Sequence, residues 1–191
     1  MQELLTGKRR LPGFLNKWEV VELAQLLDYE QPIKYLVSST EYDDSYNIPV
    51  LTVGKTFVLG YTNEDHGVFG DLPCIIFDDF TTESRYVDFP FKAKSSAMKM
   101  LLPKSEAISL RFLYEKIQQI NFNVKDHKRH WISTYRHLEI TLPEPKEQYA
   151  IARVLSEMAA EIDIFEQQLN KYRNIKQGMM QVLLMGKIRL V

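Results

Sequence analysis

The chain is short of the residues on which most small-molecule chemistry depends. Its 191 residues include one cysteine, Cys74, and four histidines. A single cysteine builds no disulfide framework and no Cys-based zinc site. Cys74 falls inside the apolar run 72–77, which places it in a core, not at a reactive surface. His127 and His130 have ligand-like spacing, but the intervening Lys128 and Arg129 would repel a cation and no third ligand is evident. The glycines form neither GxxxxGK[ST] nor GxGxxG, so no phosphate cradle is encoded. Asp78-Asp79 ends an apolar run and reads as a turn device before an acid/base pair. The expectation is a chain with no catalytic residues, no metal and no cofactor of its own. No apolar run approaches the ~20 residues needed to span a bilayer. Lys8, Arg9 and Arg10 precede no apolar stretch, so the start does not read as a secretory signal.

Net charge is nearly absent too. Lys plus Arg is 24 and Asp plus Glu is 25, giving −1. That excludes a histone-like or tail-driven nucleic-acid binder, whose excess charge shows in the total. Hydrophobic residues make up 45% and aromatics 12%, enough for a sizeable core, and the composition reads as a soluble cytoplasmic protein.

What is present begins with a repeat. Residues 1–11 (MQELLTGKRRL) and 180–190 (MQVLLMGKIRL) are identical at eight of eleven positions. This reads as one unit of a longer tandem design, beginning with the tail of a preceding copy and ending with the same tail. Between Lys146 and Leu184 there is no proline and one glycine, Gly178. Ile151, Leu155, Met158, Ile162, Phe165, Leu169 and Tyr172 alternate spacings of four and three, and Met179 and Leu183 continue the register past Lys176. That is a heptad pattern on a helix roughly 58 Å long. Its seam is packed on its own domain or, the reading preferred here, paired with a second copy or repeat. Lys176 and Gly178 weaken it towards the end, at a bend or a partner's docking point.

Residues 12–142 differ in character. Short β-branched and aromatic runs over 48–53, 56–59, 74–77, 86–91 and 98–102 read as strands, and Leu138, Ile140 and Leu142 alternate as another. Residues 18–27 and 105–120 read as helices, the second capped by Ser105. The fold expected is α+β: a globular domain with a twisted mixed sheet and helices, followed by a long coiled-coil helix. Charge divides unevenly within that domain. Residues 41–88 hold ten acids against Lys55 and Arg85, whereas 89–142 hold ten bases against four acids. Two clusters stand out in the basic half, 91–99 (FKAKSSAMK) and 125–131 (KDHKRHW). Their mixture of cations with hydroxyl, imidazole and indole groups suits phosphate and base-edge contact, although a solvated surface loop shows the same composition.

Several stretches are quite specific to a known family. Residues 142–152 (LPEPKEQYAIA) look like the LP…EQ..IA entry to a conserved helix, and 176–188 look like its exit. Residues 49–55, 77–82, 91–97 and 127–133 look like parts of a target recognition domain. Over essentially its whole length the chain resembles the DNA-specificity subunits of type I restriction-modification systems. That resemblance implies a non-catalytic, sequence-specific subunit that reads one half of a split double-stranded DNA target. It implies three segments: 1–11 as the tail of a preceding conserved helix, 12–142 as the target recognition domain, and 143–191 as the spacer and dimerisation helix with its tail. The family's usual subunit carries two recognition domains and two helices, and this chain resembles one half. Either it is a natural half-subunit or a piece of a longer one; homodimerisation would supply the missing helix. Expected partners are DNA, methyltransferase (modification) subunits carrying S-adenosylmethionine, and a motor-nuclease (restriction) subunit carrying ATP hydrolysis. Expected DNA-contacting residues are Lys92, Lys94, Ser95, Ser96 and Lys99 in one loop and His127, Lys128, Arg129 and His130 in another, with Thr81, Thr82 and Arg85 as weaker candidates. Expected dimer contacts are the seam residues from Ile151 to Leu183 named above. The competing reading is a coiled-coil adaptor whose globular domain binds protein and not DNA.

Overall fold

A computed structural model describes residues 2–122 and 129–185. In chain order its elements are α1 (Gln2–Leu5), β1 (Glu19–Glu22), α2 (Leu23–Leu26), β2 (Leu27–Glu30), β3 (Ile48–Leu51), β4 (Val58–Thr62), β5 (Cys74–Asp78), β6 (Ser84–Val87), β7 (Lys92–Ala93), β8 (Met98–Pro103), α3 (Leu110–Gln118), α4 (His130–Ser133), β9 (Glu139–Leu142) and α5 (Pro145–Leu184). The chain divides into two compact units, Met1–Ile151 and Ala152–Val191. The fold is α+β, as the strand and helix patterns suggest.

Three small sheets build the first unit: β1-β9, β2-β8-β5-β6 and β4-β3-β7. All pairings are antiparallel except β3 with β7. The central strand β5 is buried on both faces, with Cys74, Ile75, Ile76 and Phe77 all at 0% exposure, which is why it reads as a continuous apolar run. Burial pushes the Cys74 thiol up to about 12, so it is a packing group and not a nucleophile. One core gathers Leu51, Val53, Phe69, Ile76, Phe91 and Met100 around it.

Three expectations need correction. Residues 18–27 are not a helix: they form β1, the single turn α2 and the first residue of β2. Val20 and Val21 pair with Thr141 and Ile140 of β9, and this cross-strand ladder overrides the weak helical pattern. The helix expected from Ser105 begins at Leu110. Its N-cap is Ser109, whose Oγ accepts from the Phe112 amide at 3.4 Å. The strand expected over 86–91 ends at Val87, and Phe91 instead makes a bridge with Phe69.

The N-terminal segment is bound to the first unit. The Leu5 carbonyl accepts from Lys116 Nζ at 2.9 Å. Gly7 adopts φ +72°, where an added Cβ would lie 3.4 Å from the Trp18 indole. Arg10 then clamps Glu147 in the first turn of α5 through two hydrogen bonds of 2.6 and 2.7 Å. Trp18 Nε1 donates to the same carboxylate at 3.2 Å. Beside it, Gln148 accepts from the Ser109 amide and donates to the Pro143 carbonyl.

The second unit is the remainder of α5. The helix is continuous through Lys176 and Gly178. Of the seam, Ile151 and Leu155 are already buried and so are not free for a partner. From Met158 onward every seam residue is exposed, with Phe165 at 58% and Tyr172 at 66%. Among the described residues, no helix is long and apolar enough to cross a membrane.

Glu147 is fully buried, so its partners cannot be replaced by water at little cost. Glu147→Ala should destabilise the first unit by about 3 kcal/mol in urea unfolding. A loss under about 1 kcal/mol would mean that the clamp behaves as an ordinary surface ion pair.

Candidate nucleic-acid interface

Three of the loops picked out in the sequence meet at one residue, Asp79. Its neighbour Asp78 makes the turn: Oδ1 accepts from the Phe80 and Thr81 amides at 2.9 and 2.8 Å. Thr82 completes it at φ +61°, donating its amide to the Asp78 carbonyl at 2.9 Å. Asp79 then reaches in two directions. Its amide donates to the Ala97 carbonyl at 3.1 Å, and its carbonyl accepts from the His130 amide at 2.8 Å. Its side chain accepts from the Trp131 amide through Oδ1 at 2.9 Å. Oδ2 lies 2.9 Å from Lys99 Nζ, with both side chains at 0% exposure. The Tyr29 ring, 5.1 Å from Lys99 Nζ, closes the ammonium in.

Each loop has its own internal support. In the second, Ser95 Oγ accepts from the Ala97 amide and the Ser95 carbonyl from the Met98 amide. Lys94 donates no charge to the interior; its Nζ lies 5.6 Å from the Tyr42 ring. In the third, Trp131 and Tyr135 pack on Phe77 of β5 with ring centroids 5.3 and 4.8 Å away. Phe122 packs on both His130 and Tyr135. Aromatic contacts therefore hold both flanks of the basic segment, Phe122 on one side and the start of α4 on the other.

The expected contact residues now separate. Thr81, Ser96 and Arg129 are exposed, and Thr82, Lys94 and Ser95 are partly so. Asp79 brings these residues' loops together. Lys92 and Lys99 are not surface groups. Lys99 is committed to Asp79, and Lys92, 1% exposed, is held by Glu64 Oε2 at 2.7 Å and the His66 carbonyl at 2.8 Å. A buried ammonium paired with a carboxylate is closed off from a phosphate at the surface, so both are corrected from contacts to supports. His130 is likewise buried. Arg85 is exposed on β6, its guanidinium 5.9 Å from the Phe57 ring. His127 and Lys128 lie outside the described residues. Asp79 as the hub, and Glu64 as the partner of Lys92, were not foreseen; no local pattern links either acid to a lysine so far along the chain. Among the described residues no group of three or more His, Cys, Asp or Glu side chains is placed to hold a metal ion.

The exposed hydroxyls and the Arg129 guanidinium thus sit on loops joined at Asp79. Comparison with known proteins identifies the family. The chain belongs to the type I restriction modification DNA specificity domain family, whose model matches residues 16–172. It is 40% identical to the specificity subunit of the type I restriction enzyme EcoR124I/EcoR124II from Escherichia coli, over 98% of this chain and 52% of that protein. It therefore spans about half the length of the curated relative it matches. Its fold is shared with an S subunit of a type I restriction-modification system from M. genitalium (TM-score 0.60, 15% identity, 85% of this chain and 44% of that one). It is shared also with a chain from a structure concerned with complex assembly and conformational transition of the type I R-M system (TM-score 0.56, 12% identity, 96% and 50%).

Removing one member of the Asp79–Lys99 pair strands the other, so Asp79→Ala or Lys99→Met should each cost about 3–5 kcal/mol. Asp79→Asn combined with Lys99→Met keeps an acceptor for the Trp131 amide and removes both charges. In thermal unfolding it should recover most of that loss; additive losses would show that the charges themselves are required.

The Lys92 ammonium, aided by the Ser38 and Ser39 amides, holds the Glu64 carboxyl down at about 2 from an ordinary 4.5. The folded state binds this proton less tightly than the unfolded state. The resulting stabilisation is complete above the ordinary value and disappears as pH falls towards the depressed one. Lys92→Met should therefore flatten the decline of stability between pH 4.5 and about 2. Urea midpoints measured across that range test it, and an unchanged slope would assign the acid sensitivity elsewhere.

Proposed function

We propose that this chain reads one half of a split double-stranded DNA target as the specificity component of a type I restriction-modification enzyme. The observation that carries this reading is the convergence of three polar loops on the buried Asp79–Lys99 pair. Such a platform holds Thr81, Thr82, Lys94, Ser95, Ser96 and Arg129 in fixed register. Cations would meet phosphates, and hydroxyls and the guanidinium would meet base edges. His127 and Lys128 join this set on sequence grounds. The name of the Escherichia coli relative, a specificity subunit, supports the same reading.

The reaction itself belongs to other subunits in this reading. Methyltransferase subunits would supply S-adenosylmethionine chemistry and a motor-nuclease subunit ATP hydrolysis, while this chain binds neither cofactor and stays in the cytoplasm beside its DNA. Residues 12–142 act as the recognition domain and 143–191 as the spacer, with 1–11 as the tail of a preceding helix. The exposed seam from Met158 to Leu183 pairs with the helix of a second copy, so that two identical readers address a symmetric site.

Two measurements test this. Co-purification with a methyltransferase subunit, followed by methylation mapping on random DNA, should give a discrete split target. Within that complex Arg129→Ala should weaken DNA binding roughly tenfold or more. A phosphate contact would weaken all sequences alike and lower the salt slope, whereas a base contact would relax one position. Unchanged binding would remove Arg129 from the interface, and salt-independent, sequence-blind behaviour of the wild type would favour the protein-adaptor reading. For the seam, the Met158→Lys, Leu169→Lys double mutant should sediment as a monomer where the wild type is a dimer; a wild type that is monomeric at high micromolar concentration would contradict self-pairing.

A further inference from the structure

Two strands that run in parallel leave their sheet at the same end. β3 and β7 are such a pair, with Leu51 opposite Ala93. After Ala93 the chain enters the loop of Lys94, Ser95 and Ser96, and after Leu51 it enters the turn 52–57 (TVGKTF). The Lys94 amide donates to the Leu51 carbonyl at 3.1 Å, so the two connections start side by side. The turn is braced at its base. The Thr52 amide donates to the Phe57 carbonyl at 3.0 Å, and Thr52 Oγ1 donates to the Thr56 carbonyl at 2.6 Å. Val53 is buried in the core, which leaves Gly54, Lys55 and Thr56 exposed. The Phe57 ring, where the turn ends, lies 5.9 Å from the Arg85 guanidinium. Lys55 and Arg85 are the two Lys or Arg residues in the acidic stretch 41–88, and the fold brings both to this one turn. Lys92 and Lys99 of the basic stretch are consumed by Glu64 and Asp79, whereas no carboxylate among the described residues pairs with Lys55.

We infer that the turn 52–57 is a further DNA-contacting element, in which Lys55, with Arg85 beside it, meets backbone phosphates next to those met from the loop 94–96. This rests on the specificity reading above and adds to it a phosphate-holding element. Cations of this kind position the duplex and contribute salt-dependent affinity without selecting a base. Glu41, Asp43 and Asp44 are exposed on the segment that carries Tyr42 to Lys94. They bound the contact there, because a phosphate approaching that segment is repelled. The turn is joined to the reading loop through the sheet and not through Asp79, so the two supports are independent.

In the complex with the methyltransferase subunit, DNA binding measured from about 50 to 200 mM salt tests the inference. Lys55→Gln should weaken binding about threefold or more, alike on target and unrelated DNA, and lower the salt slope by about 1. Adding Arg85→Gln should lower the slope by about 1 again, and Lys55→Arg should keep it. Lys17→Gln removes the same charge at an exposed lysine away from these loops and should leave the slope as it is. The methylated target sequence should be the same in every variant. An unaltered slope in Lys55→Gln, an equal loss of slope in Lys17→Gln, or a relaxed target position in Lys55→Gln would each overturn the inference, while a discrete split target for the wild type keeps the specificity reading. A wild-type complex with no salt-dependent binding and no discrete target would overturn both.

Discussion

The Asp79–Lys99 ion pair is the constraint on which the candidate surface depends. Both charges are fully buried, a costly arrangement unless every polar atom finds a partner. Asp79 spends its carboxylate on the Lys99 ammonium and on the Trp131 amide, and its backbone on Ala97 and His130. A hydrophobic residue at that position could fill the space but could not specify three loop positions together. Directional bonds in a low-dielectric interior fix geometry as well as energy. The proposed reading role would need that precision, because discrimination between base edges depends on where a hydroxyl or guanidinium is held.

The pair also explains what the charge pattern along the chain meant. The acidic stretch 41–88 and the basic stretch 89–142 look like two surfaces of opposite sign. In the fold they are partly one interior, since Asp79 and Glu64 of the first neutralise Lys99 and Lys92 of the second. Lys116 is buried as well, on the Leu5 carbonyl. Clustering of cations in sequence is therefore a poor measure of cations at the surface. The two lysines nearest Ser95 and Ser96 on either side, apart from Lys94, face inward and tie the loop to the sheet.

The sequence was informative where its pattern was long or its chemistry local. The proline-free stretch 146–184 with its heptad spacing matched α5 to within a residue of its observed limits, since a pattern with one break in ten register positions resists tertiary override. The apolar run of β5 and the Asp78 turn were also readable, because strand burial and an Asx turn both follow from neighbouring residues. Residues 18–27 were misread because pairing of Glu19–Glu22 with β9, far along the chain, makes their first part a strand and leaves only one helical turn, Leu23–Leu26. Composition singled out the basic loops, but not which of their lysines are exposed. Which of them turns inward depends on acids supplied by other parts of the fold.

Under the proposed function, these placements would limit how a single copy binds nucleic acid. With Lys92 and Lys99 internal, the exposed cations of the described loops are few, and each phosphate contact contributes a fixed share of salt-dependent affinity. A surface of this kind discriminates better than it grips. Affinity must then be gathered by other means, through linkage of several weak readers at a fixed separation. The remainder of the chain is suited to such linkage. A helix that exposes large apolar residues over most of its length needs a partner to cover them. At its head, the buried Glu147 and Gln148 accept only polar partners in defined geometry. Apolar contact supplies strength without register, and a charged clamp supplies register with little net strength. Under the proposed function a spacer between two DNA readers would need both, because an error in register would move one reader away from its half of the target.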